Sequence, residues 1–303
     1  MAVVVTGASG QFGRRAVELL LEKLPASEVI LATRNPDRLT HFAARGAVVR
    51  RADFDEPEGL EAAFAGADRM LLISTARVGG RVAQHRNAIE AAVKAGVRHI
   101  AYTSSVGISP DNPAIVIRDH QATEDLLRAS GVAWTFLRDN HYAEAVATAI
   151  APRAVATGAW LASAGEGRLG TVAREDCVAS AVAVLTTPGH ENRIYTLTGP
   201  ETLSFREQAA LVSEITGRPV EYKLISDDEM FAMFDALGIP RRPVDDQIVA
   251  NVPWCSEDMV TYEQSIRGGW FDMRTDDVET LTGRPPTSLR EVLLAHRDVL
   301  LAG

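Results

Sequence analysis

Ala2-Val3-Val4-Val5-Thr6-Gly7-Ala8-Ser9-Gly10-Gln11-Phe12-Gly13 decides how this chain is read. The opening run is apolar and β-branched, the signal of a buried strand. Glycines follow at G-x-x-G-x-x-G spacing, and over 14–24 leucines, Val17 and alanines recur at helical spacing. Strand, glycine turn and helix in direct succession make up the layout that holds a dinucleotide. Gly7 lets the chain leave the strand sharply, Gly10 omits the Cβ that would block a pyrophosphate, and Gly13 lets helix and strand pack closely. Free N–H groups at the positive end of the helix then receive the phosphates. Without a ligand the same pattern would be a tight strand–helix turn; the flanking elements favour the binding reading.

Outward from this stretch, short apolar runs at 29–33, 47–50, 70–73, 99–102 and 133–137 read as strands. They alternate with helices expected at 37–45, 57–65, 81–95 and 116–129. Strands apolar on both faces and separated by helices predict an α/β protein with a doubly wound (Rossmann) parallel sheet and a ligand at the strands' carboxyl ends. After Leu137 the pattern loosens. Residues 141–170 are rich in Ala and Gly without a clear period. A helix at 174–185, strands at 194–197 and 220–224, and helices near 202–216, 226–237 and 288–300 follow. The expected division is a dinucleotide-binding domain, 1–137 with about 172–190, and a smaller C-terminal α/β lobe that binds substrate, 138–171 with 191–303.

Composition narrows the function classes. The 303 residues are 46% hydrophobic and carry a net charge of −9. A nucleic-acid surface would need a basic stripe, which is missing. The longest apolar runs, 70–73 and 178–185, fall far short of a membrane span, and no secretory signal pattern is visible. Cys177 and Cys255 show no metal or redox spacing, so free thiols in a cytoplasmic protein without a metal are expected. An oligomer is compatible with this pattern.

The second strand ends at Arg34, where a doubly wound fold meets the adenosine ribose. An acidic residue there would favour NAD; an arginine accepts a 2′-phosphate through paired, charge-assisted donors. A solvated arginine in a turn is the plainer alternative. Asp53 and Phe54 end the third strand, where a carboxylate can meet the adenine amine and a ring can lie beside the base. Core packing explains Phe54 equally well.

Further motifs fall in order: Val3-Val4-Val5-Thr6 with the glycine turn, Arg34-Asn35-Pro36, Leu71-Leu72-Ile73-Ser74-Thr75, Gln84-His85-Arg86-Asn87 and Ala101-Tyr102-Thr103-Ser104. His120 with Thr123-Glu124, Thr135-Phe136-Leu137-Arg138 with Tyr142, Gly165-Glu166-Gly167-Arg168 and Arg174 complete them. Together they resemble the NmrA-like branch of the atypical short-chain dehydrogenase/reductases, and within it the NADPH:quinone oxidoreductase type, which is similar to triphenylmethane dye reductase. The match is specific in the first half and looser in the C-terminal lobe. The resemblance implies NADP(H) held by Thr6, Gly7, Ala8, Ser9, Gly10, Gln11, Phe12 and Gly13, by Arg34, and by Ser74, Thr75 and Ala76. Ile73, Thr103, Ser104 and Arg174 are cofactor candidates within the same motifs.

The usual short-chain enzymes pair a tyrosine with a lysine four residues on, which lowers the phenol pKa for proton exchange with an alcohol. Here the lysines are Lys23, Lys94 and Lys223, and none stands at that spacing from a tyrosine. Alcohol oxidation and sugar epimerisation are therefore disfavoured. Many NmrA-like reductases carry a lysine in the helix after the fifth strand, where this chain offers His120. His120 would donate a proton or bind substrate, its ordinary pKa lying near neutrality, or sit on a helix surface without chemistry. A quinone needs less help, because hydride passes to an electron-poor ring and water can supply the proton.

Asn140, His141 and Tyr142, just past the sixth strand, are the candidates to line the acceptor pocket, with Tyr142 a second proton-transfer candidate. The family's reductases tend to have glycine and tryptophan at the Asn140 and His141 positions, so this chain departs there. Trp160, Trp254, Phe231 and Phe234 are either aromatic walls or core. The sequence thus points to an NADPH-dependent reductase of quinones or similar electron-poor aromatics. A non-catalytic NADP(H)-sensing regulator of the NmrA type, and a tailoring reductase of an aromatic natural product, are the alternatives.

Overall fold

The computed structural model describes residues 1–244 and 255–302, so Trp254 lies outside the described residues. Eleven strands are present among them: β1 (Val3–Val5), β2 (Val29–Thr33), β3 (Val48–Arg51), β4 (Arg69–Leu72), β5 (His99–Ser105), β6 (Ala133–Asp139), β7 (Ala159–Ala162), β8 (Arg168–Leu169), β9 (Arg193–Leu197), β10 (Leu203–Ser204) and β11 (Glu221–Leu224). Seven make one sheet in the order β3-β2-β1-β4-β5-β6-β9, and every pairing is parallel.

Alternation along each strand divides the sheet's side chains between two apolar layers. Val4, Ile30, Met70, Ile100 and Phe136 pack under the helices Leu60–Phe64, Arg81–Lys94 and Ile115–Ala129. Val3, Val5, Leu31, Leu71 and Leu137 pack against Gln11–Lys23 and Arg174–Thr186. Arg15 on the first of those two helices grips Glu175 on the second, with Nη2 2.8 Å from the carboxylate. Arg174–Thr186 thus lies in this layer. β9 does not stay with the smaller lobe, where the sequence division put it; it pairs with β6 and closes the main sheet.

Local chemistry explains other departures. The helix expected at 37–45 is a 3-10 turn, Pro36–Leu39, followed by one α turn, Thr40–Ala43; 57–65 behaves alike, as Pro57–Gly59 and Leu60–Phe64. Proline starts each turn well, but the runs that follow are too short to extend far. The stretch without a period at 141–170 is largely helical over 143–157. Alanine suits either face of a helix, so it hides the period that reveals one. Val146–Ile150 widens into a π turn just before Pro152, whose missing N–H breaks the regular ladder. Helices Ser256–Arg267 and Asp277–Thr282 also carried no clear sequence signal.

A further core joins Val106, Ala114 and Ile117 to the second half of the chain, and in it Trp160 lies 5.5 Å from Phe205, centroid to centroid, among Val212, Leu289 and Leu293. Phe234 is buried in a satellite cluster with Met230 and Val260, and Phe231 packs partly against it. Trp160 and Phe234 are therefore core rather than pocket walls. Past β8 and β9 the chain packs backbone to backbone: a Cβ on Gly170 would strike the Met273 carbonyl oxygen, and one on Gly199 that of Thr171. No helix among the described residues is long and apolar enough to cross a membrane.

The turn after β1 is equally tight. A Cβ on Gly13 would strike the Gly7 carbonyl oxygen and come within 2.8 Å of Ala8 Cα, both backbone atoms with little room to yield. Gly13→Ala should cost ~1–3 kcal/mol, read as a lower urea midpoint at unchanged m-value. An unshifted midpoint would show that helix and turn are not in contact here.

Candidate functional site

β1 and β4 are neighbours, yet the chain leaves β1 towards β2 and leaves β4 towards β5, in opposite directions. A crevice opens at such a switch point, and the glycine turn lies in it. Thr6 closes the strand: its hydroxyl donates to the Leu71 carbonyl (3.1 Å) and accepts the Ile73 N–H (3.0 Å). It is 1% exposed and holds the turn rather than presenting a free hydroxyl. Gly7 takes φ +58°, and its carbonyl accepts the Gly10 N–H at 2.9 Å. Helix Gln11–Lys23 then starts with no side-chain cap from Gly10 and no acidic residue in its first turn. Its positive end is left for an anion. A Cβ on Gly10 would meet protein only at the Gly7 oxygen, 3.3 Å away, so the rest of its surroundings is open to a ligand.

A cavity of about 540 Å³ extends from this turn over the carboxyl ends of β2, β3 and β4. Gly7, Ser9 and Gly10 line it, with Arg34, Asp53, Phe54, Ile73, Ser74, Thr75 and Ala76. The sequence named all ten. Ala8, Phe12 and Gly13 are buried behind the turn, and Gln11 does not line the cavity, so this part of the motif can contribute backbone N–H groups rather than side chains. Ser9 Oγ accepts from Thr33 Oγ1 at 3.0 Å. Arg34 is exposed and has no partner among the described residues. Phe54 both lines the cavity and packs on the core beneath, so its two sequence readings coincide at one position.

Sequence reasoning missed Arg38, Arg77 and Gln84 as lining residues. Gln84 stood in a quoted motif, and Arg38 is a second cation one turn beyond Arg34. Gln84 Nε2 donates to Asp55 Oδ2 (2.9 Å), while its Oε1 and the Thr75 hydroxyl are buried with no hydrogen-bond partner among the described residues. Polar atoms left unpaired beside a cavity suit a polar ligand. Uncapped helix, open glycine and unpaired acceptors all fit a dinucleotide.

Towards β5 and β6 the expected residues divide. Thr103 Oγ1 accepts the Ser74 N–H at 2.8 Å and so braces the segment after β4. Ser104 is turned inward: its hydroxyl donates to buried Glu124 (2.7 Å), which also takes Arg138 at 2.9 and 2.7 Å. It therefore has no free hydroxyl for a cofactor. Arg174 lies with its guanidinium carbon 5.4 Å from the Tyr142 ring centroid. Asn140 is structural, since its amide donates to the Phe271 carbonyl (3.1 Å) and its oxygen accepts the His141 N–H (2.8 Å).

Neither candidate proton donor has an available proton. His120 is 5% exposed and is no surface residue. Its Nε2 accepts from Arg81 at 2.8 Å and its Nδ1 faces the Tyr102 hydroxyl at 2.7 Å. Burial, reinforced by the Arg81 charge, holds it neutral well below the usual imidazole range. Tyr142 donates its hydroxyl to buried Asp139 at 2.5 Å. Burial and the Asp139 charge raise the phenol well above its ordinary value, the wrong direction for an acid. His141 differs: Nδ1 lies 3.1 Å from the Tyr262 hydroxyl, and Nε2 is buried with no partner among the described residues. Burial lowers its pKa to about 4.

Comparison with known proteins agrees with this geometry. A family model described as NAD(P)H-binding matches residues 7–188. Quinone oxidoreductase 2 of Escherichia coli is 34% identical over 95% of this chain and 96% of its own length. Its crystal structure with NADPH superposes with a TM-score of 0.87, covering 96% of this chain and 98% of that one at 32% identity. An NAD(P)H azoreductase of Xenophilus azovorans is 31% identical over 97% of both chains. Triphenylmethane reductase of Citrobacter sp., solved with NADP(H), gives a TM-score of 0.85 at 30% identity over 98% of this chain and 100% of that one.

The Asp139–Tyr142 pair makes the site's electrostatics measurable. Burial pushes the Asp139 carboxyl up to about 7, against the Tyr142 and Cys177 hydrogen bonds that favour its charged form. In an unfolded chain it titrates near ~3.9. Between these values the unfolded state has released a proton that the folded state keeps, so this contribution is full at low pH and is lost as pH rises through about 7. Glu263 (about 7) and Asp258 (about 6), both raised by burial, act with the same sign. Asp139→Asn should therefore partly flatten the fall in urea-unfolding stability across roughly pH 4–7. An identical slope in both proteins would mean that Asp139 is ionised in the folded state.

Proposed function

The chain belongs to the NAD(P)H-binding family, among its NmrA-like reductases, and we propose that it is an NADPH-dependent reductase passing hydride to a quinone or similar electron-poor aromatic. The observation that carries this reading is the uncapped glycine turn opening on a cavity that Arg34 and Arg38 also line. We place the protein with the atypical short-chain dehydrogenase/reductases and in the cytoplasm.

Bound NADPH supplies the hydride. The chain's own groups do the rest. N–H groups of the glycine turn hold the diphosphate, and Arg34 with Arg38 takes the 2′-phosphate through charge-assisted hydrogen bonds. Asp53 and Phe54 meet the adenine, while Ile73, Ser74, Thr75 and Ala76 carry the cofactor towards Thr103 and Arg174. The smaller lobe covers the acceptor and excludes water, with His141 and the Tyr142 ring at its edge. Because His120 and Tyr142 have committed protons, water protonates the reduced acceptor. That limits substrates to acceptors whose reduced form is already a stable anion, as in quinones.

Two measurements test this. Arg34→Ala should weaken NADPH at least tenfold and leave NADH almost unchanged, since a charge-assisted pair contributes ~1.5–3 kcal/mol. Equal losses for both cofactors would remove the 2′-phosphate assignment. Mixed with NADPH and a panel of benzo- and naphthoquinones, the protein should bleach the nicotinamide absorbance. Tight NADPH binding with no turnover across the panel would replace the enzyme by the cofactor-sensing regulator.

A further inference from the structure

Three consecutive backbone N–H groups follow β4, and each meets a different side chain. Ile73 N–H donates to Thr6 Oγ1 (3.0 Å), Ser74 N–H to Thr103 Oγ1 (2.8 Å) and Thr75 N–H to His85 Nε2 (3.1 Å). These acceptors come from the end of β1, from β5 and from helix Arg81–Lys94, so the segment is held from three directions. The third tie differs in kind. A hydroxyl can always accept, whereas imidazole accepts at Nε2 only while that nitrogen carries no proton.

The surroundings enforce that state. His85 Nδ1 lies 2.9 Å from Thr123 Oγ1, whose own proton goes to the Asp119 carbonyl at 2.9 Å. Thr123 is left to accept, so His85 carries its proton on Nδ1. The ring is 0% exposed, and burial together with the Arg81 charge lowers its pKa to about 3. Further along, the Gly79 N–H donates to Asp119 Oδ2 at 2.7 Å. The segment thus reaches helix Ile115–Ala129 directly at Gly79 and, through His85 and Thr123, at Thr75.

We propose that His85 is a positioning residue for the cofactor: by taking the Thr75 N–H it fixes the Ser74–Thr75 peptide and turns the Ser74 carbonyl towards the cavity as an acceptor for a cofactor hydroxyl. In a trans peptide the N–H and C=O point to opposite sides, so anchoring one on the helix directs the other away from it. Ser74 and Thr75 both line the cavity. The inference rests on the NADPH reading of that cavity.

The test is a set of variants read by NADPH titration calorimetry and hydrogen exchange. His85→Phe keeps a ring and removes the acceptor; His85→Gln returns an oxygen near the Nε2 position. His85→Phe should raise the NADPH Kd ~5–10-fold, with the quinone KM unchanged. In the free protein, exchange should quicken over 73–80 and nowhere else. His85→Gln should recover most of the affinity. Thr123→Val, which removes the hydroxyl that accepts from His85 Nδ1 together with its bond to the Asp119 carbonyl, should shift Kd in the same direction and serves if His85→Phe does not fold. Wild-type Kd and exchange in His85→Phe would overturn the proposal. So would an affinity loss with faster exchange throughout the chain that His85→Gln does not restore, which would mark His85 as core packing. Wild-type protein that binds no NADPH would instead remove the cofactor reading, while exchange over 73–80 would still report on the tether.

Discussion

At the carboxyl ends of β1 and β4 the chain departs in opposite directions, and backbone N–H groups there lose the strand that would have paired them. A buried N–H left unpaired is costly, so each must find another acceptor. After β4 the acceptors are protein side chains: Thr6, Thr103 and His85. At the start of helix Gln11–Lys23 Gly10 offers no side chain and the first turn holds no carboxylate, so those donors are left for an anion such as a phosphate. One edge of the crevice is rigid because its donors are satisfied internally. The other binds because its donors are not.

The same bookkeeping of donors limits the chemistry. Three groups that might have served as an acid near β5 and β6 are already engaged: Ser104 on Glu124, Tyr142 on Asp139, and His120 between Arg81 and Tyr102. Burial raises Tyr142, the direction that withholds its proton; it raises Asp139 as well, but that buried carboxyl faces Tyr142 and Cys177. What remains is a rigid cofactor cradle. Such a site suits acceptors whose reduced form needs no enzymic acid, which fits relatives described as quinone and triphenylmethane reductases.

The lobe's attachment follows from small residues. Gly170 and Gly199 let the segment after β8 and the end of β9 lie against neighbouring backbone, and Asn140 fastens this seam to the Phe271 carbonyl. The sequence offered Asn140 as a pocket residue because it follows a strand at the ligand end. The fold spends its amide on the seam and leaves His141, with its unpaired Nε2, as the polar group of that turn.

The sequence by itself determined the elements whose reasons are local. Val3–Val5, the glycine spacing and the β-branched runs of the first half dictate a parallel sheet with a phosphate-binding turn, because strand propensity, helix period and glycine's missing Cβ act within a few residues. Arg34, Asp53 and Phe54 were legible for the same reason: each stands directly after a strand, and strand ends in this fold face the ligand. Tertiary structure alone decided what depends on partners far along the chain. His120 read equally as a proton donor or as a helix-surface histidine until Arg81 and Tyr102 closed over it. β9 looked like part of the lobe until it paired with β6. Hydrogen-bond commitment and burial are properties of neighbours in space, and the neighbours that silence His120 and tie down Asn140 lie from 18 to 131 residues away in sequence.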